Sequence, residues 1–160
     1  YKTGVPQYAV RETGASETTG TKVHFWPDAS IFITTVYNKD ILEGRLRELS
    51  YLNRGVRIIL TDLREKEENG DYYSNVFYSE GGIVEFVEML DQSAGRNSLI
   101  PKVIFVEGKD PNTNVAVEVA SSYNDSYNEH IYSYVNNINT IEGGTHVSGF
   151  RRALTRVFKS

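Results

Sequence analysis

Leu42-Glu43-Gly44-Arg45-Leu46-Arg47-Glu48-Leu49-Ser50-Tyr51-Leu52-Asn53-Arg54-Gly55-Val56-Arg57-Ile58-Ile59-Leu60-Thr61-Asp62 changes period partway, and that change decides the fold class. Up to Leu52 the apolar residues recur at helical spacing. Leu42, Leu46 and Leu49 form one stripe, Ile41 and Leu52 extend it, and Glu43, Arg45, Arg47 and Glu48 lie mostly off it. Asn53-Arg54-Gly55 supplies a stop through a residue that tolerates positive φ, and Val56 to Asp62 reads as a strand.

Outward from that stretch the same alternation of types continues. Arg64 to Asn75, with Asn69-Gly70 at its centre, predicts a solvated hairpin tip, and Val76-Phe77-Tyr78 the returning strand. Ile83, Val84, Phe86, Val87 and Leu90 predict a second helix. Lys102 to Val106 and Val115 to Val119 flank an Asp110-Pro111-Asn112 turn, and His130 to Val135 reads as a further strand. A last helix begins near Thr145, with Val147, Phe150, Leu154, Val157 and Phe158 expected inward. Before the quoted stretch, Tyr1 to Thr19 is irregular, and Lys22 to Trp26 alternates as a strand would. Helices mixed with antiparallel hairpins make an α+β layered fold.

Composition narrows the function classes. The chain has 160 residues, with 21 acids against 17 bases, a formal charge of −4. That balance argues against a protein that coats nucleic acid over its whole surface, while leaving room for one basic face. The absence of cysteine removes disulfides, thiolate metal sites and a cysteine nucleophile. No apolar run reaches the ~20 residues of a membrane span. The three histidines, His24, His130 and His146, never pair at i, i+4, so no metal site is expected.

Two motifs remain. Ser79-Glu80-Gly81-Gly82-Ile83 and Ile141-Glu142-Gly143-Gly144-Thr145 both precede helices. Glycines there either admit an anion to free backbone N–H groups or make a tight turn, with Thr145 capping the second helix. The last helix carries Arg151, Arg152, Arg156 and Lys159, and no acid follows Glu142. Arg152, Arg156 and Lys159 share one face, which is either a solvated face or a phosphate-binding one. Tyr123, Tyr127, Tyr132 and Tyr134 serve either packing or base stacking. No self-contained catalytic constellation is found.

Several segments in order carry a resemblance: Gly20-Thr21-Lys22-Val23-His24-Phe25-Trp26-Pro27-Asp28, Arg45 to Gly55, Glu80-Gly81-Gly82-Ile83, Asn136-Asn137-Ile138, and Glu142 to Arg151. Together they resemble the B subunits of bacterial DNA gyrase, ATP-driven type II topoisomerases. The B-type subunit of topoisomerase IV and a non-catalytic S5-like nucleic-acid-binding module are the alternatives. The resemblance implies that residues 1–79 are the C-terminal part of a GHKL-type ATPase domain. It implies that residues 80–160 are the N-terminal half of a ribosomal-protein-S5-like transducer domain.

Carried over residue by residue, the resemblance places Thr21 by the adenine and Val23 behind it, and gives Arg151, with Arg152 as neighbour, to DNA. The family's catalytic glutamate, Mg²⁺-binding asparagine, adenine-reading motif and ATP lid would precede Tyr1, and its Gln-Thr-Lys loop would follow Ser160. ATP and Mg²⁺ are therefore expected in a longer parent, with no catalytic residue, metal or bound cofactor in this chain. The implied partners are DNA, the gyrase A subunit in an A2B2 assembly and a second B subunit, with no membrane, in the cytoplasm.

Overall fold

A computed structural model describes residues 1–159. They form two compact units, 1–39 and 40–159, and α1 (Lys39–Leu52), all but its first residue, lies in the second.

Residues 1–38 of the first unit hold neither helix nor strand. Its regular features are local. Lys2 and Val5 exchange backbone hydrogen bonds of 2.9 and 3.0 Å, and the Asp28 carboxylate accepts from the Ser30 N–H at 2.8 Å. The strand expected over Lys22–Trp26 is not there. Alternation makes a strand only when a neighbour completes the ladder, and no described residue pairs with this segment. The His24 and Trp26 rings lie 4.3 Å apart, and Phe25 meets Tyr37 edge-on at 6.3 Å.

The second unit is α+β, as its periodicities imply. After α1 come β1 (Ile58–Lys66) and β2 (Tyr72–Phe77), then α2 (Ile83–Ser93), β3 (Ile104–Lys109) and β4 (Ala116–Ser121). β5 (Tyr134–Val135), β6 (Ile138–Asn139) and α3 (Thr145–Phe158) complete it. The strands make three antiparallel pairs, β1-β2, β3-β4 and β5-β6. The first hairpin turns at Asn69-Gly70, as read, but its strands run further into the charged stretch, because Lys66 still pairs with Tyr72. The strand expected from His130 shrinks to Tyr134–Val135, since its partner β6 has only two residues.

Two aromatic side chains are the most buried hydrophobic groups, Phe77 at 5% exposure and Phe86 at 7%. Phe86 on α2 stacks on Tyr51 of α1 at 5.3 Å, and also meets Tyr132 and Tyr134 at 6.2 and 6.3 Å. Of the four tyrosines considered for base stacking, half-buried Tyr134 is thus a packing residue, while Tyr132 touches the same ring but remains 48% exposed. Tyr123 and Tyr127 stay exposed.

Around that aromatic centre the elements are joined by polar side chains. Asn136 and Asn137 form the two-residue loop between β5 and β6 with φ of 49° and 65°. Both angles lie in the left-handed region that a type I′ hairpin turn demands and that asparagine tolerates. The tip is held to α1. Arg45 donates to the Asn137 carbonyl at 2.5 Å, and the Asn137 amide donates to Asn53 Oδ1 at 2.9 Å. The Tyr134 hydroxyl donates to Glu48 Oε1 at 2.5 Å, and Arg45 also pairs with Glu48.

The first Gly-Gly pair is a turn and not an anion cradle. Ser79, 1% exposed, accepts from the Gly82 N–H at 2.8 Å and donates to Glu85 at 2.6 Å, while Glu85 accepts from the Gly81 N–H at 2.7 Å. Both glycine donors are consumed, so neither remains for a ligand. Gly82 has φ 61°, and an added Cβ would sit 3.3 Å from that of Arg54. The Ser79 carbonyl accepts from Gly55, which ties this turn to the end of α1 at 2.9 Å.

Burial and the Glu48 hydrogen bond push the Tyr134 phenol above its ordinary value of 10. A raised phenol stabilises the fold fully below pH 10, and that contribution is lost as pH climbs towards the folded-state value. The urea midpoint of the wild type should therefore fall more steeply than that of Tyr134→Phe as pH rises above about 10. Parallel pH profiles would show that the phenol is not held by Glu48.

Candidate nucleic-acid interface

The basic helix is launched by the β5-β6 hairpin. The ladder continues one pair beyond the strands, with Thr140 N–H donating to the Ser133 carbonyl at 2.8 Å and the Thr140 hydroxyl donating to the same carbonyl at 2.9 Å. Gly143, at φ 76°, then turns the chain and donates to Thr140 O at 2.7 Å. His146, in the first turn of α3, has its Nε2 3.0 Å from the Thr140 hydroxyl.

Gly144, not Thr145, occupies the N-cap of α3, and no side chain caps it. The glycine turn ends at Gly144, so helical geometry begins one residue earlier than a Thr145 cap would require, which leaves Thr145 inside the helix.

The apolar stripe of α3 departs from expectation. Val147 and Phe150 are half-buried, while Leu154, Val157 and Phe158 are 42%, 69% and 72% exposed. Burial is therefore confined to the first two turns among these apolar positions, nearest the Gly143 turn and the Thr140–His146 contact.

On the polar side, Arg151, Arg152, Thr155, Arg156 and Lys159 line an open groove of about 620 Å³. All five are exposed. Among the described residues, Arg152, Arg156 and Lys159 have no carboxylate at ion-pair distance, whereas Arg151 Nη2 lies 2.7 Å from Glu129 Oε1. Arg151 also borders a second concavity of about 370 Å³, formed with Ile131, Ser133, Gly143, Gly144 and Ser148. Arg152, Arg156 and Lys159 along one helical face, with Arg151 beside them, can meet successive phosphates of a backbone without reading bases. No group of three or more histidine, aspartate or glutamate side chains arranged to hold a metal occurs among the described residues.

Thr21 and Val23 lie in the first unit, both exposed, Val23 at 77%. Arg151 and Arg152 lie in the second unit on adjacent positions of α3. The sequence did not reveal Glu129 as Arg151's partner, nor Arg45, Glu48, Asn53 and Asn137 as the clamp behind the helix. Glu129 precedes Arg151 by 22 positions in the numbering and lies outside any helix or strand, so no periodicity links them.

Comparison with known proteins identifies the class to which this α+β chain with its basic terminal helix belongs. A family model described as DNA gyrase B matches residues 82–160. The DNA gyrase B subunit of Chitinophaga japonensis is 66% identical over 160 residues, 100% of this chain and 33% of that protein. That of Halalkalibacterium halodurans is 49% identical over 155 residues, 96% of this chain and 23% of that protein. The B-subunit of the DNA gyrase from Myxococcus xanthus superimposes with TM-score 0.67 at 25% identity, over 80% of this chain and 34% of that one. The 43K ATPase domain of Thermus thermophilus gyrase B, solved in complex with an aminocoumarin, gives TM-score 0.67 at 31% identity, over 81% of this chain and 33% of that one.

The chain belongs to the DNA gyrase B family. It spans about a third of the length of the first curated relatives it matches.

If α3 meets phosphates, each arginine removed should cost one unit of counterion release. Arg156→Gln should weaken duplex binding by the full-length protein regardless of sequence and lower the slope of log Kobs against log salt by about 0.9. An unchanged slope in a salt titration would remove Arg156 from the interface.

Proposed function

We propose that this chain is the part of a DNA gyrase B subunit that joins its nucleotide-binding unit to the capture of DNA. The observation that carries this reading is 66% identity to a gyrase B protein along all 160 residues. The basic groove of α3 supports it by offering a duplex a row of positive charges. On this reading residues 1–79 close the ATPase domain, and residues 80–160 open the transducer that relays the nucleotide state. The parent is an ATP-dependent type II topoisomerase of the cytoplasm. It works with the gyrase A subunit in an A2B2 assembly and closes on DNA when two B subunits dimerise.

Thr21 and Val23 would contribute one edge of the adenine pocket. Within the first unit they are exposed, so by themselves they do not exclude water from a base. ATP and Mg²⁺ therefore belong to the parent protein, which supplies phosphoryl-transfer energy, and the isolated chain is inactive on this proposal. What these residues do is mechanical. α1 is gripped through Arg45, Glu48 and Asn53 by the hairpin whose far end sets the direction of α3.

The test is Arg151→Gln in the full-length protein assembled with its A-subunit partner. Losing one charged contact should raise the DNA concentration for half-maximal ATPase stimulation about tenfold, with basal ATPase much less affected. Equal loss of basal and stimulated activity would refute a DNA-contacting role for Arg151.

A further inference from the structure

Of the four cations on the groove, Arg151 alone is paired among the described residues, and its partner comes from elsewhere in the fold. Glu129 lies in the irregular segment between β4 and β5, and its Oε1 is 2.7 Å from Arg151 Nη2. Both side chains are more than half exposed, at 59% and 57%. Arg151 stands on the second turn of α3, behind an anchored hairpin, whereas Glu129 belongs to no helix or strand.

We infer that Glu129 is a removable cap on Arg151, a positioning residue that holds the guanidinium over the groove and yields it to a DNA phosphate. This rests on the reading of α3 as a DNA-contacting helix. The carboxylate presents the same pair of anionic oxygens that a phosphate does, so the guanidinium exchanges one partner for the other without reorienting. An exposed ion pair is worth only ~0.2–1 kcal/mol, which is weak enough for a phosphate within a polyanion to displace.

The exchange has a cost that a free arginine would not incur. Once displaced, Glu129 is left close to the bound phosphate, and like charges repel. The cap thus trims affinity for any single passing phosphate and favours a duplex that also engages Arg152, Arg156 and Lys159. In an acidic protein with one basic face, that makes retention depend on several contacts at once.

The experiment measures binding of a short fluorescently labelled duplex to the full-length protein by anisotropy, for wild type, Glu129→Gln, Arg151→Gln and the double variant. Glu129→Gln should tighten binding about two- to fivefold at 50 mM salt, and the gain should shrink towards 200 mM as the pair is screened. Arg151→Gln should weaken binding, and Glu129→Gln should add nothing in its presence. Tightening that persists in the Arg151→Gln background would mean a diffuse charge effect and would overturn the cap. So would unchanged affinity for Glu129→Gln while Arg151→Gln still weakens binding, an outcome that leaves the DNA-contacting reading of α3 intact. If Arg151→Gln does not weaken binding, that reading fails and the cap fails with it.

Discussion

The second unit depends on two consecutive asparagines held at positive φ. A type I′ turn at Asn136-Asn137 makes the β5-β6 hairpin two residues deep, and so small a ladder has little stability of its own. It persists because its tip is bound from outside, by Arg45 on the Asn137 carbonyl and by Asn53 on the Asn137 amide. Glu48 fixes the hairpin's first strand through Tyr134, whose ring packs near Phe86. Turn conformation, backbone capping and aromatic packing therefore support one another, and the direction of α3 follows from all three.

That arrangement explains how the second unit, with few deeply buried side chains among its described residues, holds its elements together. Phe77 and Phe86 supply a small apolar centre, and long polar side chains span the remaining distance between elements. Each such bond lies partly shielded from water, where a hydrogen bond to a charged group is worth more than on an open surface. The Ser79–Glu85 turn works in the same way at the start of α2, consuming the N–H groups of Gly81 and Gly82. The proposed boundary between residues 79 and 80 is crossed by these bonds and by the hairpin clamp. Under the proposed function, that continuity is what a relay between nucleotide and DNA requires.

Much of this was legible in the sequence, and the limits have physical causes. The helical stripe of Leu42, Leu46 and Leu49, the Asn69-Gly70 turn and the start of α3 are local signals, and the structure follows them. Lys22–Trp26 failed as a strand because pairing is not a local property. Arg45 and Glu48 looked like solvent-facing residues of an amphipathic helix, and nothing near them in sequence announced partners far along the chain in the β5-β6 hairpin. For the site, the basic face of α3 was visible as residue types at helical spacing. The pairing of Arg151 with Glu129 was not, because it depends on where an irregular segment comes to rest.

Above all, the hairpin tip and α1 form a single cooperative element. Hydrogen–deuterium exchange on the full-length protein, wild type against Asn137→Ala, tests it directly. Alanine tolerates positive φ poorly and cannot reach Asn53, so amides of residues 45–53 and 133–140 should lose protection together, by about 1–3 kcal/mol in opening free energy. The β3-β4 hairpin should be unaffected. Loss confined to residues 133–140, with α1 exchanging as in the wild type, would contradict the account.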